Sequence, residues 1–344
     1  MSKFGRICLV VSALALSQGL GCSSSDNDDP SKGSKTGAHT LDGGVKGMSC
    51  EPTPEIDLTG TWAIFFRFSI SLQSQPGGAI TMCPTDQVST STMYLLLQIK
   101  HSETDKTQLE TIRPVGCTLT LPTVTGMVGQ CTPDAPNLVS TEIVGRETLG
   151  PSMQKVVMNT VTGQLDSLVA GARFTTDPLV FTIGTTSSPD AMPRWMENQP
   201  GCGLANDTLG RSQKCETQCV DDCSALVDAD NDGYPGLTFH ACGRTPDDVE
   251  MKVQCNPTIP SAGGTAIQGR VFLDFTTNPQ VNGTVKSSCE IGGTFAATTV
   301  YNIIGADVYL GTKVSVAAAI RSLPLYDVSP TNSKFRMIRV DGKY

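Results

Sequence analysis

Twelve consecutive residues, Trp62 to Gln73, alternate strictly between two faces. Trp62, Ile64, Phe66, Phe68, Ile70 and Leu72 fall on one side. Ala63, Phe65, Arg67, Ser69, Ser71 and Gln73 fall on the other. A helix would scatter these apolar side chains around its whole surface, whereas a strand lines them up on one face, so the period of two predicts a half-buried β-strand. Such a strand has to lay its apolar face on a core, and a lone hairpin is too small to supply one. The chain is therefore committed to a multi-stranded sheet from its first long segment onward, and Pro76-Gly77-Gly78 ends that segment with turn chemistry.

Further segments carry the same signature. Met93 to Ile99 places Met93, Leu95, Leu97 and Ile99 in register, and the polar run His101 to Lys106 reads as a hairpin loop with His101 solvated at the strand end. Leu109 to Ile112 returns, and Cys117 to Leu121 follows Pro114 as a separate strand. Val156 to Met158, Ala172 to Thr175 and Leu179 to Ile183 are shorter candidates. Arg270 to Phe275, Val281 to Val285, Thr294 to Tyr301, Val308 to Val316 and Phe335 to Val340 complete the series. Short strands separated by Gly, Pro, Asn and Asp predict a mainly β fold, an antiparallel barrel or sandwich. Residues 185–255 differ: acidic, cysteine-bearing and poor in strand signals, they read as a largely irregular insertion. The β body is then 50–184 and 256–344, and its size is ample for a core.

The N-terminus sets the expected compartment. Lys3 and Arg6 precede an apolar run from Ile7 to Leu16, then Ser17-Gln18-Gly19-Leu20-Gly21-Cys22. Basic start, short apolar core and small residues are the layout of a secretory signal peptide over 1–21, and the core is too short to span a bilayer. Residues 22–49 are almost devoid of apolar side chains and read as a disordered tether. The end of the leader resembles the lipobox of bacterial lipoproteins, in which a Cys becomes the acylated first residue. Gly21 and Cys22 fit, while Leu20 stands one place nearer the Cys than the usual Leu. The resemblance implies lipid attachment at Cys22 and anchorage in a cell envelope, at the outer membrane or cell surface. Secretion as a soluble protein is the alternative.

Export also shapes the reading of the eleven cysteines beyond Cys8 and Cys22. In an oxidising compartment they read as disulfides rather than metal ligands. Cys117 and Cys131 flank a turn and form the first candidate pair. Cys202, Cys215, Cys219, Cys223, Cys242 and Cys255 are the candidates within the insertion, and the pair His240 and Cys242 reads there as disulfide chemistry rather than zinc. The formal charge of −8 becomes −10 once the leader with Lys3 and Arg6 is removed. That balance argues against nucleic acid as a partner and suits cation binding.

Asp228-Ala229-Asp230-Asn231-Asp232-Gly233-Tyr234 places carboxylates at alternate positions before a glycine. Oxygens so spaced can curl around a hard cation, and three like charges repel unless one neutralises them. The run resembles the first half of EF-hand and dockerin-type calcium loops and of thrombospondin type 3 repeats. The resemblance implies calcium held by the side chains of Asp228, Asp230 and Asp232 and the carbonyl of Tyr234. Phe239 stands where an EF-hand has its bidentate Glu, and Pro235-Gly236 breaks any exiting helix, so a structural site is expected and no helix opening.

Asp57-Leu58-Thr59-Gly60-Thr61-Trp62 opens the long strand and resembles the Gly-x-Trp start of lipocalins, whose barrels carry apolar ligands. In that family a basic residue of the last strand accompanies the Trp, and Arg336 or Arg339 stands at the matching place. Catalytic motifs are sparse: there is no Gly-x-Ser-x-Gly, no His-Glu-x-x-His, and His39 falls in the tether. The leading expectation is a non-enzymatic, calcium-binding envelope lipoprotein that binds a surface ligand or protein. A lipocalin-like carrier of a small apolar molecule is the alternative, and a secreted hydrolase with an unrecognised site is the third.

Overall fold

The computed structural model describes residues 53–74, 82–83, 88–128, 139–145, 149, 153, 156–195, 220–242, 267–310, 314–315 and 325–340. The leader, the tether, Cys22, His39, Cys131, Cys202, Cys215, Cys219 and Cys255 lie outside these residues. No described helix is long and apolar enough to cross a membrane.

Eight strands close into an antiparallel barrel: β1 (Gly60–Gln73), β3 (Ser89–His101), β4 (Gln108–Thr120), β8 (Thr162–Leu165), β9 (Arg173–Thr176), β13 (Gln280–Ser287), β14 (Glu290–Ala296) and β18 (Lys334–Arg339). Each pairs with the next of the eight in chain order, and β18 returns to β1 through Trp62↔Arg339 to Arg67↔Lys334. This is an up-and-down meander, so alternate connections emerge at the same end. At one end they are short: 102–107, 166–172 and 288–289. At the other end they are long, and they build the remaining strands.

Those remaining strands are β2 (Met82–Cys83), β5 (Thr123–Val128), β6 (Val139–Gly145), β7 (Val157–Met158), β10 (Phe181–Ile183), β11 (Leu237–Cys242), β12 (Ile267–Thr277), β15 (Thr299–Leu310), β16 (Val314–Ser315) and β17 (Leu325–Val328). β17 continues the edge of β1 beyond β18, and the others form a second sheet in the order β16-β15-β12-β11-β6-β5-β2, with β10 beside β12 and β7 beside β10. One apolar core runs through both sheets.

An eight-stranded barrel is about wide enough for its own side chains to fill. Here Trp62, Phe66, Met93, Leu95, Phe174, Ile291, Phe295 and Met337 are each almost wholly buried. Phe66, Phe68 and Phe295 meet edge-to-face at 5.0 and 4.8 Å. Phe335 also enters, because Gly283 leaves its ring room: a Cβ there would lie 2.6 Å from Cζ of Phe335. The alternation read from Trp62 to Gln73 is reproduced in the burial of β1 as far as Ile70, and Leu72 is only half-buried.

Four expectations are corrected. Leu109–Ile112 and Cys117–Leu121 are parts of one strand, β4. Pro114 is tolerated because the register with β3 slips there, so no ladder hydrogen bond is asked of it. Thr294–Tyr301 is not one strand: the chain turns at Ala297-Thr298 and passes from β14 of the barrel to β15 of the second sheet, the turn pinned by Asn278, whose Oδ1 accepts the N–H of Thr298 at 2.7 Å. His101 is buried rather than solvated.

The fourth concerns the disulfides. No bridge joins two described cysteines, so the framework expected from the cysteine count is not found in the described fold. Cys117, Cys223 and Cys289 carry bonded sulfurs, and Cys289 was not among the expected candidates. The described fold is held by the closed hydrogen-bonded ladder and the continuous core, to which the bonds of these three sulfurs add. Within 185–255, β11 belongs to the second sheet. Leu237, Thr238 and Phe239 are all buried, so both faces are covered and no alternation marks the strand.

Candidate functional site

The two ends of the barrel are built differently. At the short-loop end the segment before β1 folds across the opening, burying Ile56 and Leu58. Trp62 Nε1 donates to the Leu58 carbonyl at 2.8 Å, and the Leu58 N–H donates to His101 Nε2 at 2.9 Å. Since Nε2 accepts, the ring proton sits on Nδ1, which faces the Lys106 carbonyl. Arg339 donates to the carbonyls of Asp57 and Thr59. Of the two arginines named from sequence, Arg339 is thus the one opposite Trp62, while Arg336 pairs with Glu290 at 3.2 Å. Partial burial works to raise the Asp57 carboxyl, but the Thr59 hydrogen bonds, with the nearby Arg339 guanidinium, outweigh it and hold the group low. This end is latched shut by polar groups.

At the long-connection end the second sheet lies across the opening, and the two surfaces leave a cavity of about 60 Å³, open on one side. The barrel supplies Phe68 and Ile70 of β1, Ser91 of β3 and Leu119 of β4. The second sheet supplies Phe181, Phe239, Leu273, Phe275 and Tyr301, and β17 supplies Tyr326 and Val328. Six of the lining residues are aromatic: Phe68, Phe181, Phe239, Phe275, Tyr301 and Tyr326. Tyr326 lies 5.9 Å from Phe239 and 6.5 Å from Tyr301, centroid to centroid. The polar lining is hydroxyl only, and most of it is engaged internally: Ser91 donates to the Thr120 carbonyl, and Thr299 donates to Thr277 at 3.2 Å. Burial raises the phenols of Tyr301 and Tyr326, so both stay neutral. No charged side chain lines the cavity among the described residues.

The acidic loop is the second feature. Asp228, Asp230 and Asp232 each offer a carboxylate oxygen within 4.8 Å of the others, an arrangement that could coordinate a metal ion. The loop's own amides prepare it. Asp228 accepts from the N–H groups of Asp232 and Gly233 at 3.1 and 3.0 Å, and Asp232 accepts from Tyr234 at 2.9 Å. Asp230, buried, accepts from Thr238 at 3.0 Å, tying the loop to β11. Asn231 takes a positive φ of 58°, as Asn tolerates. A return turn brings Gly236 beside Asp228 with a φ of 83°, where a Cβ would meet the Leu273 carbonyl at 2.6 Å, so only glycine fits. The Tyr234 ring stacks on Phe272 at 4.7 Å. A strand, not a helix, follows the loop, and Phe239 points into the core. Of the carboxylates near the loop in sequence, Asp221 and Asp222 are committed to the Arg194 N–H and to capping the turn at Cys223–Ala225. Asp247, Asp248 and Glu250 lie outside the described residues, as does the side chain of His240.

One group was missed from sequence. Asp274, in the middle of β12, has no exposed surface, and neither carboxyl oxygen accepts a hydrogen bond of normal geometry among the described residues. Desolvation, only partly opposed by the N–H groups of Asn302 and of Asp274 itself, pushes its pKa up to about 8. The group is therefore mostly neutral at pH 7. A lone carboxylate between Leu273 and Phe275 was the available signal. It faces the outer side of the second sheet, with Asn302 across the strand pair and Arg194 and Asp221 nearby, away from the cavity.

The fold and the cavity define a closed, lipocalin-like antiparallel barrel of a kind that supports ligand binding. Comparisons with family profiles, curated proteins and solved structures gave no match to this chain.

Proposed function

We propose that this protein binds and carries a small apolar molecule, held where the second sheet covers the barrel mouth. The observation that carries this reading is the aromatic, charge-free cavity between Phe68, Phe181, Phe239, Phe275, Tyr301 and Tyr326. Apolar concavities with a few hydroxyls are the usual form of small-molecule sites, and the opposite end of the same barrel is sealed. The packed interior argues against a ligand deep on the barrel axis and moves the site to the mouth. This favours the carrier over a surface-interaction role. Placement at a cell envelope through acylated Cys22 is part of the proposal and rests on the sequence alone.

The reading is tested by titrating the full chain with N-phenyl-1-naphthylamine, a neutral apolar fluorophore. Saturable one-to-one enhancement is expected. Enhancement that rises linearly without saturation would sink the carrier.

A second element of the proposal is calcium at Asp228, Asp230 and Asp232, supported by the convergence of their oxygens. Its role would be to stiffen the loop on which Tyr234 stacks against β12. A site occupied at a hundredfold excess over its Kd stabilises by about 2.7 kcal/mol. The full chain should therefore melt several degrees higher in calcium than in chelator, with magnesium less effective. Superposed melts would remove calcium from the proposal.

A further inference from the structure

We propose that the cavity is selective for charge: it admits only the uncharged apolar end of a longer amphiphile and rejects ligands that must bring an ionised group inside. The inference rests on the carrier reading and narrows its ligand class.

Size comes first. A cavity that encloses benzene measures about 150 Å³, and sites that swallow whole drug-sized ligands run from about 300 Å³ upward. The cavity here, at about 60 Å³, is smaller than either. It has room for a chain end or the edge of a ring, and its open side lets the rest of the molecule stay outside.

Charge comes second. A carboxylate brought inside would lose its hydration and find no compensating cation among the described lining residues, none of which is Lys, Arg or His. The phenols of Tyr301 and Tyr326 could donate hydrogen bonds but carry no charge. A net charge of −8 adds a general repulsion of anions. An ammonium fares little better, because no carboxylate is among the described lining residues. Asp274 faces the outer side of the sheet and Asp327, next to Tyr326, is exposed. A neutral alkyl or aryl end has nothing to lose: it meets Phe68, Phe275 and Val328 and displaces water from apolar surface.

The experiment is displacement of N-phenyl-1-naphthylamine from the full chain at pH 8 by 1-octanol, octanoate and octylammonium, which share a chain and differ in charge. Octanol is expected to displace at concentrations at least tenfold lower than either ion. Thr299→Lys places a cation at the half-buried edge of the cavity. It should improve octanoate relative to octanol at least tenfold. Val328→Phe, which fills the cavity, should weaken the fluorophore at least tenfold. Near-ultraviolet circular dichroism shows whether each variant keeps its packing, and Thr299→Lys serves alone if Val328→Phe does not fold. Equal displacement by octanol and octanoate overturns the charge selectivity and leaves the carrier standing. Fluorophore binding that neither variant alters places the site elsewhere and overturns the selectivity of this cavity. Absence of saturable binding overturns the carrier itself.

Discussion

The two mouths of one barrel face the same problem, an apolar interior that must be kept from water, and solve it with different chemistry. At the short-loop end the closure is local and polar. Leu58, Trp62, His101, Asp57 and Arg339 form a chain of directed hydrogen bonds. At the other end the closure is remote and apolar, a second sheet assembled from four long connections and held by nondirectional packing. Directed bonds fix one geometry and leave no gap. Packing between two independently twisted sheets leaves a gap wherever their curvatures part, and that gap is the cavity. A barrel thus gains a cavity at the end where closure is least specific.

The comparison can be broken most forcefully at the latch. Trp62→Ala removes the largest buried side chain at that end together with its hydrogen bond, and a loss of about 3–5 kcal/mol is expected in denaturant unfolding. A loss below about 1 kcal/mol would show that the polar end does not carry the barrel.

Next in size is the pH dependence set by Asp274. Its folded pKa is raised to about 8 from the ordinary 3.8, so between these values the folded state holds a proton that the unfolded chain releases. Stability is fullest below pH 4 as far as this group is concerned and falls as pH rises toward 8, by at most about 1.4 kcal/mol per pH unit. Asp274→Asn should flatten that slope and raise stability at pH 8. Hydrogen exchange should place the alkaline loosening in β12 and β15 rather than in β1 and β18. An unchanged slope in the variant would remove Asp274 as its cause.

Arg339→Met keeps the aliphatic stem and deletes the donors to Asp57 and Thr59. A loss of about 2 kcal/mol is expected, with faster exchange of the Leu58 amide and unaltered fluorophore binding. Weakened binding would mean that the two ends are coupled. The smallest effect belongs to the cavity wall. Val328→Ala should cost about 1 kcal/mol and admit a bulkier chain end, read as a shift in preference from octanol toward a branched alcohol of similar length.

The local part of the latch, Asp57 to Trp62, was legible in the sequence. Gly60-Thr61-Trp62 marks the start of a strand whose register then brings Arg339 opposite Trp62. The acidic loop was legible for the same reason: its oxygens, turn asparagine and glycines lie within nine residues, Asp228 to Gly236. His101 was misjudged because its burial depends on Leu58, a residue 43 positions away that donates to it. The break in Thr294–Tyr301 was invisible because residues with strong strand propensity run on both sides of a turn with neither Gly nor Pro. Asp274 could be seen as a carboxylate in an apolar strand, but nothing local said which face it would take.

By itself the sequence determined that this chain builds antiparallel strands, where its first strand and acidic loop fall, and which side chains face inward along β1. Those outcomes follow from the two-residue period of a strand and from turn chemistry, which act over a few residues. The tertiary structure alone decided that eight strands close into a ring, that the long connections join at one end into a second sheet, and that a charge-free cavity remains between the two. Its walls come from β1, β3, β4, β10, β11, β12, β15 and β17, each contributing ordinary core residues. A cavity is a property of surfaces that fail to meet, and no single segment of chain carries that information.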